Sequence, residues 1–431
     1  MSHCTADTNM MKLNESSTDT TALVRAASPQ STSQQTTGVL SSLGNSRHNM
    51  LDLFCGTGAL SYGLETASRR LRTVGGIDAD QAAARTAALN HPNAKIKCAP
   101  IETLLPEEML ALSGVGTIDV IVGGPPCQGF SSLRPSRGAG LDDPRNSLYM
   151  EFVKYVHTLR PRVFLLENVV GMLTAGEGVL VAEMLAAFNR AGYEVDWRVL
   201  NAANFGIPQK RERFFLLGVR KNLGARVLPV FPVPAHRFVG KVIGTRLKDR
   251  YVVNQISGLP PVTVWDAISD LPTLKSGESC TSYRTDAQNS YQAARRRGSD
   301  SVLTLHQAAL HNTKMLEVIK HAGASIHALP KGLVSSGYSS CYSRLASDEP
   351  STTITVKFTS PASSKCIHPT DDRAITPREA ARLQSFDDSF LFAGSKTDIA
   401  SQIGNAVPPL FGEAFAPIIE RLLDAQGIGE Y

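Results

Sequence analysis

The chain has 431 residues, of which 42% are hydrophobic and 19% charged, values typical of a globular protein with room for two domains. No apolar run approaches the roughly 20 residues needed to cross a bilayer, and no secretory signal precedes the first apolar runs. These features argue against membrane-spanning and secreted proteins and predict a cytoplasmic one. The seven cysteines are scattered singly without a C-x-x-C pair, so we expect no metal site and no redox couple.

The formal charge of +5 is distributed unevenly along the chain. Residues 221–343 contain 15 Lys and Arg against 7 Asp and Glu, a net +8, which leaves 29 against 32, a net −3, for the remainder. This asymmetry suggests a basic lobe for a polyanion, although a basic surface kept for solubility explains it equally well. Arg295, Arg296 and Arg297 are the densest positive cluster, and adjacent arginines favour contacts with phosphates.

The first part of the chain changes character near Asn49. Residues 1–46 are rich in Ser and Thr without an apolar period, which predicts a disordered tail. Short apolar runs then alternate with stretches of helical spacing, which predicts a doubly wound, Rossmann-like α/β domain with a parallel sheet. The predicted strands are MLDLF (50–54), TVGGI (73–77), IDVIV (118–122), RVFLL (162–166) and RFFLLG (213–218), and the predicted helices span 59–67, 80–89, 146–159 and 178–191.

The alternation fades after Val219 into a stretch rich in Pro, Gly and Arg, which is a candidate second domain. Regular patterning resumes at Arg344, and residues 377–385 read as a helix with Thr376 as the N-cap. The predicted organisation is therefore a tail, a catalytic domain, a smaller variable domain and a C-terminal segment that returns to the catalytic domain. Their ranges are 1–46, 47–219, 220–343 and 344–431.

A glycine turn follows the first predicted strand, in the segment DLFCGTGAL (52–60). Gly56 and Gly58 would let a nucleotide-like ligand approach the backbone at the carboxyl edge of the sheet. Asp78 closes the next strand 20 residues later, where dinucleotide folds place the group that binds ribose hydroxyls. This spacing favours an adenosine-containing cofactor without separating NAD from S-adenosylmethionine, and a plain tight turn is the alternative.

Two reactive side chains are predicted at the same edge. Cys127, in GGPPCQGFS (123–131), follows the strand IDVIV in a polar Gly/Pro loop, where a thiol is a candidate nucleophile rather than a core residue. Glu167 follows RVFLL and brings a carboxyl group beside it, although a surface or capping role would explain it too.

Two further segments are polar enough to carry chemistry. In QKRER (209–213), Gln209, Arg211 and Arg213 alternate, which predicts that they share one face of a strand. IGNAVPPL (403–410) by itself reads as a turn and the start of a helix.

Six segments together carry a family resemblance. In chain order they are DLFCGTG, GGPPCQGFS, ENV, QKRER, RLASDEPSTTIT (344–355) and GNAVPPL, and they resemble the ordered motifs of the cytosine-C5 DNA methyltransferases of bacterial restriction-modification systems. The likeness covers about 49–219 and 344–410. GGPPCQGFS followed by ENV and Q-x-R-x-R is highly specific, so the resemblance implies a DNA (cytosine-5-)-methyltransferase.

The resemblance implies roles for the catalytic residues by position. Cys127 corresponds to the nucleophile that attacks cytosine C6, and Glu167 to the acid that engages cytosine N3. Arg213 corresponds to the residue that contacts cytosine O2, with Arg211 supporting the site.

The resemblance also implies S-adenosylmethionine as methyl donor and no metal. Phe54 would pack on the adenine, Gly56 and Gly58 would form the turn, Asp78 would hold the ribose, and Asn405 would lie near the methionine end. One departure is CAPIETL (98–104), which lacks the Asp that commonly receives the adenine amino group, with Glu102 nearby but displaced.

The implied substrate is double-stranded DNA, read by the variable domain, whose specific part would be 275–343. A cognate restriction endonuclease would act on the same site, and we expect a monomer. Two alternatives remain: a tRNA cytosine-C5 methyltransferase, whose insertion is usually shorter, and a catalytically inactive DNA-binding regulator, which would be expected to lose Cys127 or Glu167.

Overall fold

The computed structural model describes residues 47–126, 148–221, 227–239, 250–252, 258–299 and 302–427. Its strands are β1 His48–Leu53, β2 Leu71–Asp78, β3 Lys95–Cys98, β4 Val120–Gly123, β5 Val163–Val169, β6 Tyr193–Asn201, β7 Gln209–Lys210, β8 Glu212–Arg220, β9 Tyr251–Val252, β10 Ser343–Arg344, β11 Ser351–Thr352 and β12 Lys365–Ile367. Its α-helices are α1 Ala59–Ala67, α2 Gln81–Asn90, α3 Pro106–Ser113, α4 Leu148–Leu159, α5 Val179–Arg190, α6 Val264–Ile268, α7 Ser290–Arg295, α8 Thr313–Lys320, α9 Pro377–Leu383, α10 Lys396–Asn405 and α11 Pro409–Gly427.

The main sheet has eight strands in the order β3-β2-β1-β4-β5-β8-β6-β9. The strands from β3 to β5 are mutually parallel, so their carboxyl ends meet at one edge. The doubly wound α/β prediction is confirmed, but the prediction of an entirely parallel sheet is wrong at one strand. β8 runs antiparallel to both β5 and β6.

The short connection between β6 and β8 explains why β8 runs antiparallel. Only residues 202–211 separate β6 from β8, whereas a parallel crossover needs about a dozen residues or more, usually with a helix. The connection is therefore too short to return to the start of the sheet. It turns back through the 3₁₀ helix Ala202–Phe205 instead.

Strand β5 shows why apolar runs become central strands. Its Val163 and Leu165 belong to one hydrophobic core, while Phe164 and Leu166 belong to the core on the opposite face. Burial on both faces explains the continuous apolar run that predicted the strand. The strands β3 and β6 were missed because their exposed or partly exposed residues break that pattern.

The C-terminal helix packs against the first helix at close range. A Cβ atom built on Gly63 would lie 1.9 Å from the carbonyl oxygen of Pro409, and one on Gly412 would lie 2.4 Å from that of Leu60. Only glycine permits this approach of α1 and α11. The last helix thus lies against the same core as β1 and β5.

Helix α9 begins as the sequence predicts. The side-chain oxygen of Thr376 accepts a hydrogen bond from the backbone of Glu379 at 3.1 Å, and the carboxylate of Glu379 accepts one from the backbone of Thr376 at 2.7 Å. The helix ends at Leu383, two residues before the predicted end, and Ser385 has a left-handed backbone with φ of 64°.

Two arginines of the cluster are held by contacts within the protein. Arg295 is 2% exposed and lies 3.1 Å from a carboxylate oxygen of Asp387 and 3.3 Å from one of Glu413. Arg296 donates to Asp270 at 2.9 Å and stacks over the ring of Tyr283. Because Arg295 is buried, the prediction of a phosphate contact was wrong for this residue; for Arg296 and the exposed Arg297 it stays a prediction.

Several predictions fall on residues outside the described ranges. They include the tail 1–46, the loop that contains Cys127 and the first two residues of the predicted helix 146–159. In the part of the chain that is described, no helix has both the length and the apolarity needed to cross a bilayer.

Candidate active site

A cleft of about 1650 Å³ opens at the carboxyl edge of the parallel strands. It is lined by residues that follow β1, β2, β4 and β5, and by the segments around Arg211 and Thr353 and the end of α10. Ligands of open α/β sheets bind at this edge, where the strand order reverses between β1 and β4. The described members of the predicted site, with the exception of Gly58, line this cleft: Phe54, Gly56, Asp78, Glu167, Arg211, Arg213 and Asn405.

The glycine turn has the backbone that its sequence predicts. Phe54, Gly56 and Gly58 have φ values of 54°, 52° and 73°, which lie in the left-handed region that favours glycine. Gly58 donates its backbone N–H to the carbonyl of Cys55 at 2.7 Å, which closes the turn. Helix α1 starts directly afterwards, so its N-terminus lies at the turn.

Asp78 fastens the turn to the end of β2. One carboxylate oxygen accepts the backbone N–H of Gly56 at 2.7 Å, and the other accepts that of Asp80 at 2.8 Å. Burial raises the pKa of Asp78 above its usual range, and these backbone hydrogen bonds oppose the rise. The carboxylate therefore lies beside the glycine turn in the cleft.

These residues fit an adenosine-containing cofactor. A Cβ built on Gly56 would meet nothing within 4 Å, so the backbone there leaves room for a ligand. Phe54 packs against the core while lining the cleft. Asn405, which is exposed, also lines the cleft and donates to Ser401 at 3.3 Å. Glu102, in the 3₁₀ helix Ile101–Thr103, also lines the cleft.

Glu167 and Arg213 form a buried ion pair in the cleft. The guanidinium Nε of Arg213 lies 2.8 Å from a carboxylate oxygen of Glu167 across the antiparallel pair β5 and β8. Burial raises the pKa of Glu167, while the positive charges of Arg213 and Arg211 lower it. The net effect is a raised pKa, which favours the protonated form that can donate a proton.

The loop that precedes Cys127 is held against this pair. Asn168 donates to the carbonyl of Pro125 at 2.9 Å. A Cβ built on Gly124 would come within 3.0 Å of Glu167, so a larger residue there would press on the carboxylate. Cys127 itself lies outside the described residues and follows Pro126, the last described residue of the loop.

Arg211 does not extend the strand that carries Arg213. β7 ends at Lys210 and β8 begins at Glu212, and the guanidinium of Arg211 donates to the carbonyls of Ile354, Gly404 and Ala406 at 3.0–3.3 Å. It is 2% exposed, and burial lowers its pKa. Arg211 therefore joins three segments of the site.

Gln209 shares one contact residue with Arg211. It donates to Gln384 at 2.8 Å and accepts the backbone N–H of Ile354 at 2.9 Å, and the carbonyl of Ile354 accepts from Arg211. The prediction of one continuous strand was wrong, because β7 ends at Lys210 and β8 begins at Glu212; the shared face of the three residues stays a prediction. The high charge of the segment is the signal in the sequence for this break.

Sequence reasoning missed a buried polar group beneath the turn. Asp52, within β1, accepts a hydrogen bond from Ser61 at 2.5 Å, and burial raises its pKa to about 7. A charged residue in a buried apolar strand was the available signal. Within the described ranges, no group of three or more His, Cys, Asp or Glu side chains is arranged to hold a metal ion.

Comparison with known proteins gives one consistent family. The family model for C-5 cytosine-specific DNA methylase matches residues 48–421. Type II methyltransferase M.AgeI of Thalassovita gelatinovora is 34% identical, with 86% of this chain and 98% of the relative covered. Type II methyltransferase M1.HphI of Haemophilus parahaemolyticus is 33% identical, with 86% of each chain covered.

Solved structures that resemble this chain are also described as methyltransferases. A protein described as a DNA modification methyltransferase encoded within a prophage (E. coli) is 26% identical with a TM-score of 0.68, covering 88% of this chain and 99% of that one. S. pombe Dnmt2 methyltransferase has a TM-score of 0.54 at 17% identity, covering 88% and 100%, and shares the fold.

Proposed function

The chain belongs to the C-5 cytosine-specific DNA methylase family, and on that premise we propose how its residues methylate cytosine in DNA. The observation that carries the proposal is the buried Glu167–Arg213 pair in the cleft that the glycine turn and Asp78 also line. One end of the cleft suits an adenosine group and the other suits a polar heterocycle. S-adenosylmethionine, when bound there, supplies an electrophilic methyl group.

The chemistry needs a nucleophile because cytosine C5 does not take a methyl group unaided. The Cys127 thiolate adds to C6, which forms an S–C6 bond and moves the C5=C6 electron pair towards C5. Glu167 donates a proton to N3, or shares one with it, and so neutralises charge that builds on the ring. Methyl transfer to C5 would leave S-adenosylhomocysteine. Loss of the C5 proton then restores the C5=C6 bond and breaks the S–C6 bond, which frees 5-methylcytosine and the Cys127 thiolate, and N3 returns its proton to Glu167.

The pair would also recognise the base. C6 is inaccessible in a stacked duplex, so the cytosine must leave the helix, at a cost of a few kcal/mol. Glu167 would read N3 and Arg213 would read O2 of the extruded ring. Arg211 would support these two residues without contacting the base, since its guanidinium donates its hydrogen bonds to backbone carbonyl groups.

Sequence specificity is assigned to the variable domain. We assign it to 275–343 because the motif-bearing segments are common to the family and have little freedom to encode one target. A few polar side chains there could discriminate bases, at roughly 1–3 kcal/mol for each bidentate contact. A monomer acting beside a restriction endonuclease of the same specificity is the arrangement we propose for the cell.

The two alternatives have less support. The tRNA methyltransferase alternative finds less support among the relatives, since M.AgeI and M1.HphI are named as Type II methyltransferases. An inactive regulator would not need to keep Cys127, Glu167 and Arg213 together with the glycine turn.

A duplex with 5-fluorocytosine at the target tests the mechanism, because C5 then carries no proton to lose. We expect a denaturation-resistant adduct that mass spectrometry places on Cys127, and Cys127→Ala should bind DNA but form no adduct and no product. Cys98→Ala is the matched control, since Cys98 is exposed at the edge strand β3. Turnover by Cys127→Ala, or an adduct on another cysteine, would contradict the mechanism.

A further inference from the structure

A chain of hydrogen-bonded polar side chains, most of them buried, lies against the glycine turn. His91 directly follows α2, and its Nδ1 lies 2.7 Å from a carboxylate oxygen of Glu65. Its Nε2 lies 3.0 Å from the carbonyl of Gly58 and 3.3 Å from the hydroxyl of Ser61. Ser61 in turn donates to Asp52 at 2.5 Å.

Both ring nitrogens of His91 face hydrogen-bond acceptors. Nδ1 faces the carboxylate of Glu65, and Nε2 faces the carbonyl of Gly58, which also accepts the backbone N–H of Tyr62 at 2.8 Å and the hydroxyl of Ser61 at 3.0 Å. Only the doubly protonated imidazolium donates from both ring nitrogens at once.

The surroundings favour that charged form. The charged or titratable groups that act on His91 are Glu65, in direct contact, and Asp52, through Ser61; the ring of Tyr62 approaches edge-on at 6.5 Å. Burial lowers the pKa of His91, but the contacts with Glu65 and Gly58 outweigh it and leave the pKa raised. Glu65 is itself held by the backbone N–H of Thr73 at 2.5 Å.

We propose that His91, oriented by Glu65, is a positioning residue. Its hydrogen bond to the carbonyl of Gly58 fixes the backbone of the glycine turn and so sets the affinity of the turn for its cofactor. The contact is close, because a Cβ on Gly58 would lie 2.7 Å from Nε2 of His91. The inference rests on the proposed function, since it concerns the cofactor end of the same cleft. The hydrogen-bond contacts of His91 are with Gly58 of the turn and with Ser61 and Glu65 of α1, so it should act on cofactor binding and leave the chemical step alone.

The test is binding of S-adenosylhomocysteine to the full chain without DNA, measured by calorimetry from pH 6 to 9.5. Affinity of the unaltered protein should fall about tenfold as the pH rises through the raised pKa of His91, the equivalent of one hydrogen bond. His91→Gln keeps an amide donor towards Gly58 but cannot titrate, so its profile should lack this fall. The methylation rate of His91→Gln at saturating cofactor should differ from that of the unaltered protein by less than about twofold, while its KM for the cofactor should be higher.

Glu65→Gln is the second variant, because it removes the charge that raises the pKa while keeping the size of the side chain. The fall in affinity should then move to lower pH. The pKa of Asp52, about 7 and raised in part by the charge of Glu65, should decrease too, so His91→Gln is the variant that separates the titration of His91 from that of Asp52. His157→Gln, at an exposed site on α4, is the matched control and should follow the unaltered protein.

Two results would overturn the inference: the same pH profile for His91→Gln as for the unaltered protein, or no movement of the fall in Glu65→Gln. Thermal melting of each variant shows whether it is folded. An unaltered protein that does not bind S-adenosylhomocysteine at any pH would instead remove the proposed function, and this inference with it. The two failures are therefore distinguishable.

Discussion

Replacing Arg295 by Met tests whether the arginine cluster is structural. Arg295 joins α7 to the segment after α9 and to α11, through Asp387, Glu413 and the carbonyl of Ser385 at 2.6 Å. Met fills a similar volume but leaves the carboxylate of Asp387 buried without its partner. Breaking a buried pair from one side costs about 3–5 kcal/mol, which is a large share of the stability of a typical domain.

The matched control is Arg297→Met, because Arg297 is exposed two residues away. Exposed substitutions of this kind usually change the free energy of unfolding by less than about 0.5 kcal/mol. Urea denaturation of both variants at pH 8 should therefore separate them clearly. Burial raises the pKa of Asp387 in the folded protein, and loss of Arg295 would raise it further.

The sign of the pH dependence follows from that raised pKa. Above it, Asp387 is a buried unpaired charge in Arg295→Met and the destabilisation is complete. As the pH falls through it, protonation removes the charge, so the loss of stability should shrink. Unfolding of Arg295→Met at the same urea concentration as the unaltered protein would refute the structural role of Arg295. A phosphate contact would be indicated instead if the slope of log affinity for DNA against log salt concentration fell by about 0.9 in magnitude, the value for one lost contact.

The remaining predictions concern the cleft. Gly58→Ala should weaken S-adenosylhomocysteine binding in calorimetry, because Gly58 adopts a positive φ and a Cβ there meets His91; an unchanged affinity would contradict this. Glu167→Gln should remain folded yet lower the single-turnover methylation rate by about 100-fold or more. The unaltered enzyme should also slow as the pH rises through the raised pKa of Glu167, and a flat profile would argue against its role as a proton donor.

Local signals in the sequence located much of the cleft. The glycine turn, Asp78 and Glu167 each follow an apolar run that becomes a buried parallel strand, and the carboxyl ends of such strands must meet at one edge. The roles of Cys127 and Arg213 came from the family resemblance and remain predictions, with Cys127 outside the described residues.

Other features depended on contacts between distant parts of the chain. Arg211 binds the carbonyl of Gly404, 193 positions away, and nothing in QKRER distinguishes that partner from a base or a phosphate.

The amino-acid sequence by itself determined the α/β class, the edge of the sheet where the cleft opens and the family, because period and motif are local properties. Only the tertiary structure decided that β8 runs antiparallel, that Arg295 is buried against Asp387 and that His91 lies behind Gly58. A charged side chain reads the same in a sequence whether it faces solvent or a buried carboxylate. Which of these it faces depends on how segments far apart in the chain pack together, and the net free energy of that packing is not a property of any one segment.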